Sequence, residues 1–82
     1  MSINEIMNWI SSHNGQSKKE DYTEYGNRTK HVVRYENGDT YQHIETYNGI
    51  MEKQTETILN GQTVLKQDLV YKPFGWYERG AI

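Results

Sequence analysis

Residues Tyr35–Gln62 read YENGDTYQHIETYNGIMEKQTETILNGQ. The dipeptide Asn-Gly falls at 37–38, 48–49 and 60–61, each time between runs rich in β-branched and aromatic residues. A type I′ turn needs positive φ at both central positions, and Asn followed by Gly meets that need better than almost any other pair. Each pair therefore predicts the tip of a tight hairpin, with strands over about 28–36, 39–47, 50–59 and 62–72. Strands joined by two-residue loops must pair with their neighbours, so the expected sheet is an antiparallel meander. Pro73 lacks an N–H and is expected to end the last strand. The step of 11 or 12 residues is a hairpin period, not a duplicated functional unit.

Two-residue loops also fix a register. Around Asn37-Gly38 they set Glu36 against Asp39, Tyr35 against Thr40 and Arg34 against Tyr41. Around Asn48-Gly49, Tyr47 meets Ile50 and Thr46 meets Met51. Around Asn60-Gly61, Thr57 meets Val64, Lys53 meets Asp68 and Met51 meets Val70. One face then carries His31, Val33, Tyr35, Ile44, Met51, Thr57, Leu59, Val64 and Val70. The other carries Arg28, Lys30, Val32, Arg34, Tyr41, His43, Tyr47, Ile50, Ile58, Leu65, Leu69 and Tyr71. A slip of one residue would exchange the faces of a strand.

Working outward, residues 2–12 read as a helix. Ser2 and Glu5 have capping-box spacing, and Ile3, Ile6, Met7 and Ile10 form a stripe at helical spacing, with Trp9 off its centre. Asn14-Gly15 supplies a left-handed residue to end it. Residues 16–27, QSKKEDYTEYGN, are polar and aperiodic, a loop with at most a short irregular strand near Tyr22–Tyr25. Residues 73–82 form an aromatic tail. The expected fold class is α+β: an N-terminal amphipathic helix followed by a four-stranded antiparallel β-meander, all in one small domain spanning 1–82.

Composition bounds the chemistry. The chain has 82 residues, of which 34% are hydrophobic and 12% aromatic, with a mean hydropathy of −0.98. A domain of this size buries a modest fraction of its surface. Seven tyrosines argue against disorder and suit a core built partly from amphipathic rings. Nine basic and eleven acidic residues give a net charge of −2, which supplies neither a global field for nucleic acid nor an acidic mimic of one. Without cysteine there are no disulfides, thiolate nucleophiles or zinc–sulfur sites. Histidines 13, 31 and 43 lack a close second ligand, so no metal or other cofactor is expected. No apolar run reaches bilayer length, and the start MSINEIMNWI lacks a positive n-region. The Asn27-Arg28-Thr29 sequon is therefore read as accidental, and an intracellular, cytoplasmic protein is the expectation.

Three functional readings follow. The first is a non-enzymatic binding or accessory protein working by protein–protein contact, with a partner or as a homodimer. Ile50, Ile58, Leu65, Leu69 and Tyr71 would form an apolar strip covered by Phe74, Trp76 and Tyr77 of the tail, by a second copy or by another protein. Strand addition at an unpaired edge is a further route. Small chains of this kind suit inhibitor or regulator roles, including those encoded by bacteriophages or mobile elements. The second reading is nucleic-acid binding by a basic and aromatic corner of Arg28, Lys30, Arg34, Tyr41, His43 and Tyr47. The third is a ribonuclease-like hydrolase using His43, Glu45, Arg28, Arg34 and Tyr41 as an acid–base set, for which the sequence offers no pocket. No enzymatic activity is the expectation.

Overall fold

The computed structural model describes residues 1–79. Helix α1 (Ile3–Ser12) is followed by β1 (Ser17–Tyr25), β2 (Arg28–Tyr35), β3 (Thr40–Tyr47), β4 (Glu52–Leu59), β5 (Gln62–Lys72) and β6 (Gly75–Glu78). The strands form one antiparallel sheet in sequential order, β1-β2-β3-β4-β5-β6. The α+β class and the meander are as expected, but the sheet has six strands rather than four.

The additional strands have physical reasons. Every residue of β1 is exposed, because β1 is an edge strand held by its ladder to β2, with no burial to impress a pattern on its sequence. Its hairpin to β2 turns on Gly26-Asn27, with Gly26 at φ +60, the glycine-first arrangement of a II′ turn. At the other end Pro73 closes β5 without ending the sheet. Pro73-Phe74 makes a two-residue turn into β6, with Pro fixing the first central position and Phe74 forced to φ +82. The expected tail thus extends the sheet instead of folding over it; residues 80–82 lie outside the described residues.

Loop lengths overturn the expected register at two turns. At Asn37-Gly38 the loop has three residues: Tyr35 N–H donates to the Asp39 carbonyl at 2.9 Å and Gly38 N–H to the Tyr35 carbonyl at 3.0 Å. Arg34 consequently pairs with Thr40, and Val33 with Tyr41. At Asn48-Gly49 the Asn48 N–H donates to the Glu52 carbonyl at 2.9 Å, and Tyr47 pairs with Lys53 rather than Ile50. At Asn60-Gly61 the two-residue turn forms as expected, with φ +50 and +81 and Leu59 opposite Gln62. A bulge beyond it moves Thr57 from Val64 to Leu65 and Lys53 from Asp68 to Leu69.

Because side chains alternate along a strand and directly paired residues share a face, this register sorts the sheet. The inner face carries Thr29, His31, Val33 and Tyr35 of β2, Tyr41, His43, Glu45 and Tyr47 of β3, Lys53, Thr55, Thr57 and Leu59 of β4, Leu65, Gln67, Leu69 and Tyr71 of β5, and Trp76. The outer face carries Arg28, Lys30, Val32, Arg34, Ile44, Ile58 and Val70, with Tyr77.

Helix α1 docks at one end of the inner face. Its capping box closes as read, the Glu5 N–H donating to Ser2 Oγ at 3.1 Å and the Ser2 N–H to Glu5 Oε1 at 3.3 Å. Its rotation differs from the expected stripe. Ile6 is buried, whereas Ile3 and Met7 are 58% and 57% exposed, and Trp9 turns toward the sheet to meet Tyr35 edge-on at 5.6 Å. His13, the C-cap, stacks on Trp9 at 4.0 Å and leans on Tyr35 at 4.6 Å. The core comprises Ile6, Val33, Tyr35 and Leu59 with Thr55 and Thr57, and Ile44 buried on the outer face.

Candidate functional site

Away from α1 the inner face holds a polar cluster built on alternate residues of β3. Glu45 lies between His43 and Tyr47 on one face, and register brings Lys53 of β4 opposite Tyr47. The Tyr47 hydroxyl donates to Glu45 Oε2 at 2.6 Å, His43 Nε2 lies 3.2 Å from Oε1 and Lys53 Nζ lies 3.5 Å from Oε2. Burial pushes the Glu45 carboxyl up, but the Tyr47 hydroxyl, His43 and the Lys53 ammonium outweigh it and hold the group below its ordinary range. The same short bond, with burial and the Glu45 charge, pushes the Tyr47 phenol up to about 12. Lys53 is only 12% exposed; its ammonium sits 4.3 Å from the Trp76 ring centre and 5.7 Å from that of Tyr47, a cation–π arrangement on top of the ion pair. His43 Nδ1 is buried without a hydrogen-bond partner among the described residues.

Apart from His43 Nδ1, this cluster is satisfied from within. Glu45 is held ionised by three neighbours, so it is a poor proton donor, and its cation is already Lys53. Beside it lies an apolar strip. Leu65 and Leu69 are half-buried on β5, Tyr71 is exposed, and Trp76 of β6 packs edge-on against Tyr71 at 5.3 Å. β5 and β6 form the sheet end farthest in strand order from β1, whereas α1 is anchored on Tyr35 of β2.

Of the residues expected to form the protein interface, Leu69, Tyr71 and Trp76 come together on the inner face, and Leu65 lies farther along the same face of β5, with Gln67 between it and Leu69. Ile58 is half-buried on the outer face and Tyr77 is exposed there. Ile50 stands 89% exposed in the β3–β4 loop, and Phe74 is fully exposed at its turn. The basic and aromatic corner does not assemble. Arg28, Lys30 and Arg34 project from the outer face, while Tyr41, His43 and Tyr47 lie on the inner one. The three-residue loop at 36–38 is the cause, since it slips β3 by one residue against β2. The acid–base set separates for the same reason: His43, Glu45 and Tyr41 share the inner face, with Arg28 and Arg34 behind the sheet.

The sequence reading missed Lys53 as the partner of Glu45. The alternation of His43, Glu45 and Tyr47 was visible in the chain, but Lys53 enters only through the true β3–β4 register. It also missed His13 and Asp39, which meet at 2.7 Å across 26 residues. On the outer face, a cleft of about 320 Å³ opens over Ile44, flanked by Arg28, Thr46, Gln54, Glu56 and Lys66.

Among the described residues, no group of three or more His, Asp or Glu side chains is placed to hold a metal ion, and no helix is long and apolar enough to cross a membrane. Comparison with known family models, curated proteins and solved structures gave no match.

Proposed function

We propose that the protein is a non-enzymatic binding module acting through protein–protein contact, and that the contact surface is the part of the inner sheet face left open by α1. One observation carries this reading: α1 is anchored at Tyr35, while Leu65, Leu69, Tyr71 and Trp76 line the same face beyond it. A strip of aliphatic and aromatic side chains beside a polar network has the anatomy of an interface centre with its rim. Charge defines the partner. The inner face carries Glu20, Glu24, Glu45 and Glu78 against Lys53, whereas Lys19, Arg28, Lys30, Arg34, Lys66 and Lys72 all belong to the outer face. A partner with an apolar centre and basic rim fits. Two inner faces from two copies would set carboxylate against carboxylate, so the protein alone is expected to scatter light as a monomer at two concentrations.

Source-cell proteins retained by wild type are compared with those retained by Leu69→Asp, Tyr71→Ala and Arg34→Ala, each verified as folded by circular dichroism. A true partner disappears with the first two variants and persists with Arg34→Ala. Retention by Tyr71→Ala and Leu69→Asp alike removes this face from consideration.

A second reading rests on the outer face, where Arg28, Lys30 and Arg34 are exposed beside Tyr25, itself 88% exposed and paired with Arg28. Cations alternating along one strand with an open ring suit the backbone of a single-stranded nucleic acid. Labelled single strands titrated at low and moderate salt should then show affinity falling steeply with salt; no binding at low salt ends this reading.

A further inference from the structure

We propose that His13 and Asp39 form a pH-operated latch, holding α1 on the inner sheet face while His13 is protonated and releasing it when the imidazole loses its proton. The geometry favours the charged ring. His13 Nε2 lies 2.7 Å from Asp39 Oδ2 and Nδ1 lies 2.7 Å from the Trp9 carbonyl oxygen. Both partners are acceptors, so the two contacts are hydrogen bonds together only when both ring nitrogens donate, as in the imidazolium. A neutral ring keeps Asp39 but exchanges the Trp9 carbonyl for the weaker Ser12 hydroxyl at 3.1 Å. The His13 side chain is 10% exposed, so water cannot readily replace the lost bond. It also caps the C-terminus of α1, where the unpaired carbonyls favour a cation.

The surroundings of the ring point the same way. From its own helix, the Trp9 carbonyl and the Ser12 hydroxyl touch it, the latter at 3.1 Å from Nδ1. From β2 the titratable neighbour is the Tyr35 phenol, packed on its ring, with Glu20 of β1 as that phenol's charged neighbour. From the β2–β3 loop it is Asp39, whose carboxylate is fixed independently by Asn37 Nδ2 at 3.0 Å and by Asn60 Nδ2 of the β4–β5 turn at 3.2 Å. These neighbours supply no opposing cation. The Trp9 carbonyl, then Asp39, raises the His13 pKa above 6.5, while His13 and the two asparagines lower that of Asp39. The signs follow. His13 contributes stability that is complete below its unfolded-state pKa and is lost as pH rises through the higher folded one. Asp39 contributes stability that is lost only as pH falls through its depressed folded value. The latch is closed between these limits and opens on the alkaline side.

Opening frees Trp9 from Tyr35 and uncovers the end of the inner face where Val33, Tyr35 and Leu59 are buried. The device concerns helix docking and stands whether or not that face has a partner. Amide hydrogen-exchange protection, corrected for the intrinsic rate and followed by NMR on either side of the His13 titration, tests it. His13 should titrate above 6.5. Across that midpoint the α1 amides should lose protection, about tenfold for each pH unit separating the folded and unfolded midpoints, while the β3 and β4 amides keep theirs. His13→Gln should hold α1 at the wild type's alkaline level at every pH. Protection of α1 that is flat across the His13 titration, a loss shared equally by β3 and β4, or a midpoint at or below 6.5 would overturn the latch.

Discussion

Glu45 shows how much chemistry one side chain can absorb on a sheet face. Its carboxylate is held by a phenol, an imidazole and a largely buried ammonium. Replacing it with Gln keeps the shape and removes the charge, leaving the Lys53 ammonium without its counter-ion. Glu45→Gln should cost about 1–2 kcal/mol at neutral pH, read from urea melts. Because the folded pKa of Glu45 is depressed, its contribution is present above the unfolded value and disappears as pH falls through the folded one. The gap between wild type and Glu45→Gln should therefore narrow on acidification, and a gap that stays constant would show that the charge is not what matters. At this scale the sequence displayed the alternation of His43, Glu45 and Tyr47 but not Lys53, Asp39 or His13 as partners. Such pairs are set by register and by helix rotation, and neither is a property of neighbouring letters.

Turns were the most legible elements, and also where the reading failed. Asn-Gly marks positive φ for glycine, a requirement shared by two-residue I′ turns and by three-residue loops that end in a left-handed glycine. At 60–61 both residues have positive φ; at 37–38 only Gly38 does. The side chains decide between the two outcomes. Asn37 Oδ1 accepts from the Asp39 N–H at 2.9 Å, a local Asx bond that favours the longer loop. The strands missed at either end had weak signals for different reasons: β1 lacks burial, and β6 follows a Pro that resembles a terminator. The Pro73-Phe74 turn carries a testable strain. A left-handed conformation costs a side-chain-bearing residue about 1–2 kcal/mol, and Phe74, wholly exposed, has no packing to offset it. Phe74→Gly should raise stability by about 0.5–1 kcal/mol after the added freedom of the unfolded chain is counted. A loss of stability in thermal melts would mean that Phe74 makes contacts which this conformation does not contain.

At the scale of the whole molecule, a ten-residue helix covers one end of a six-stranded sheet. The sequence made this imbalance visible, since few apolar residues were spread over both faces of a meander. It did not show which residues share a face, because an odd slip at either of two loops exchanges all the side chains of a strand. The resulting arrangement separates side-chain chemistry by side: an acidic, aromatic inner face with aliphatic and aromatic residues beyond α1, and an outer face that carries most of the cations. Side-chain nuclear Overhauser contacts of the protein alone test this arrangement most directly. The predicted pattern links Val33 to Tyr41, Trp76 to Lys53 and Trp9 to Tyr35, with no contact from α1 to Leu65 or Leu69. Contacts from Arg34 to Tyr41, or from α1 to Leu65 and Leu69, would contradict it.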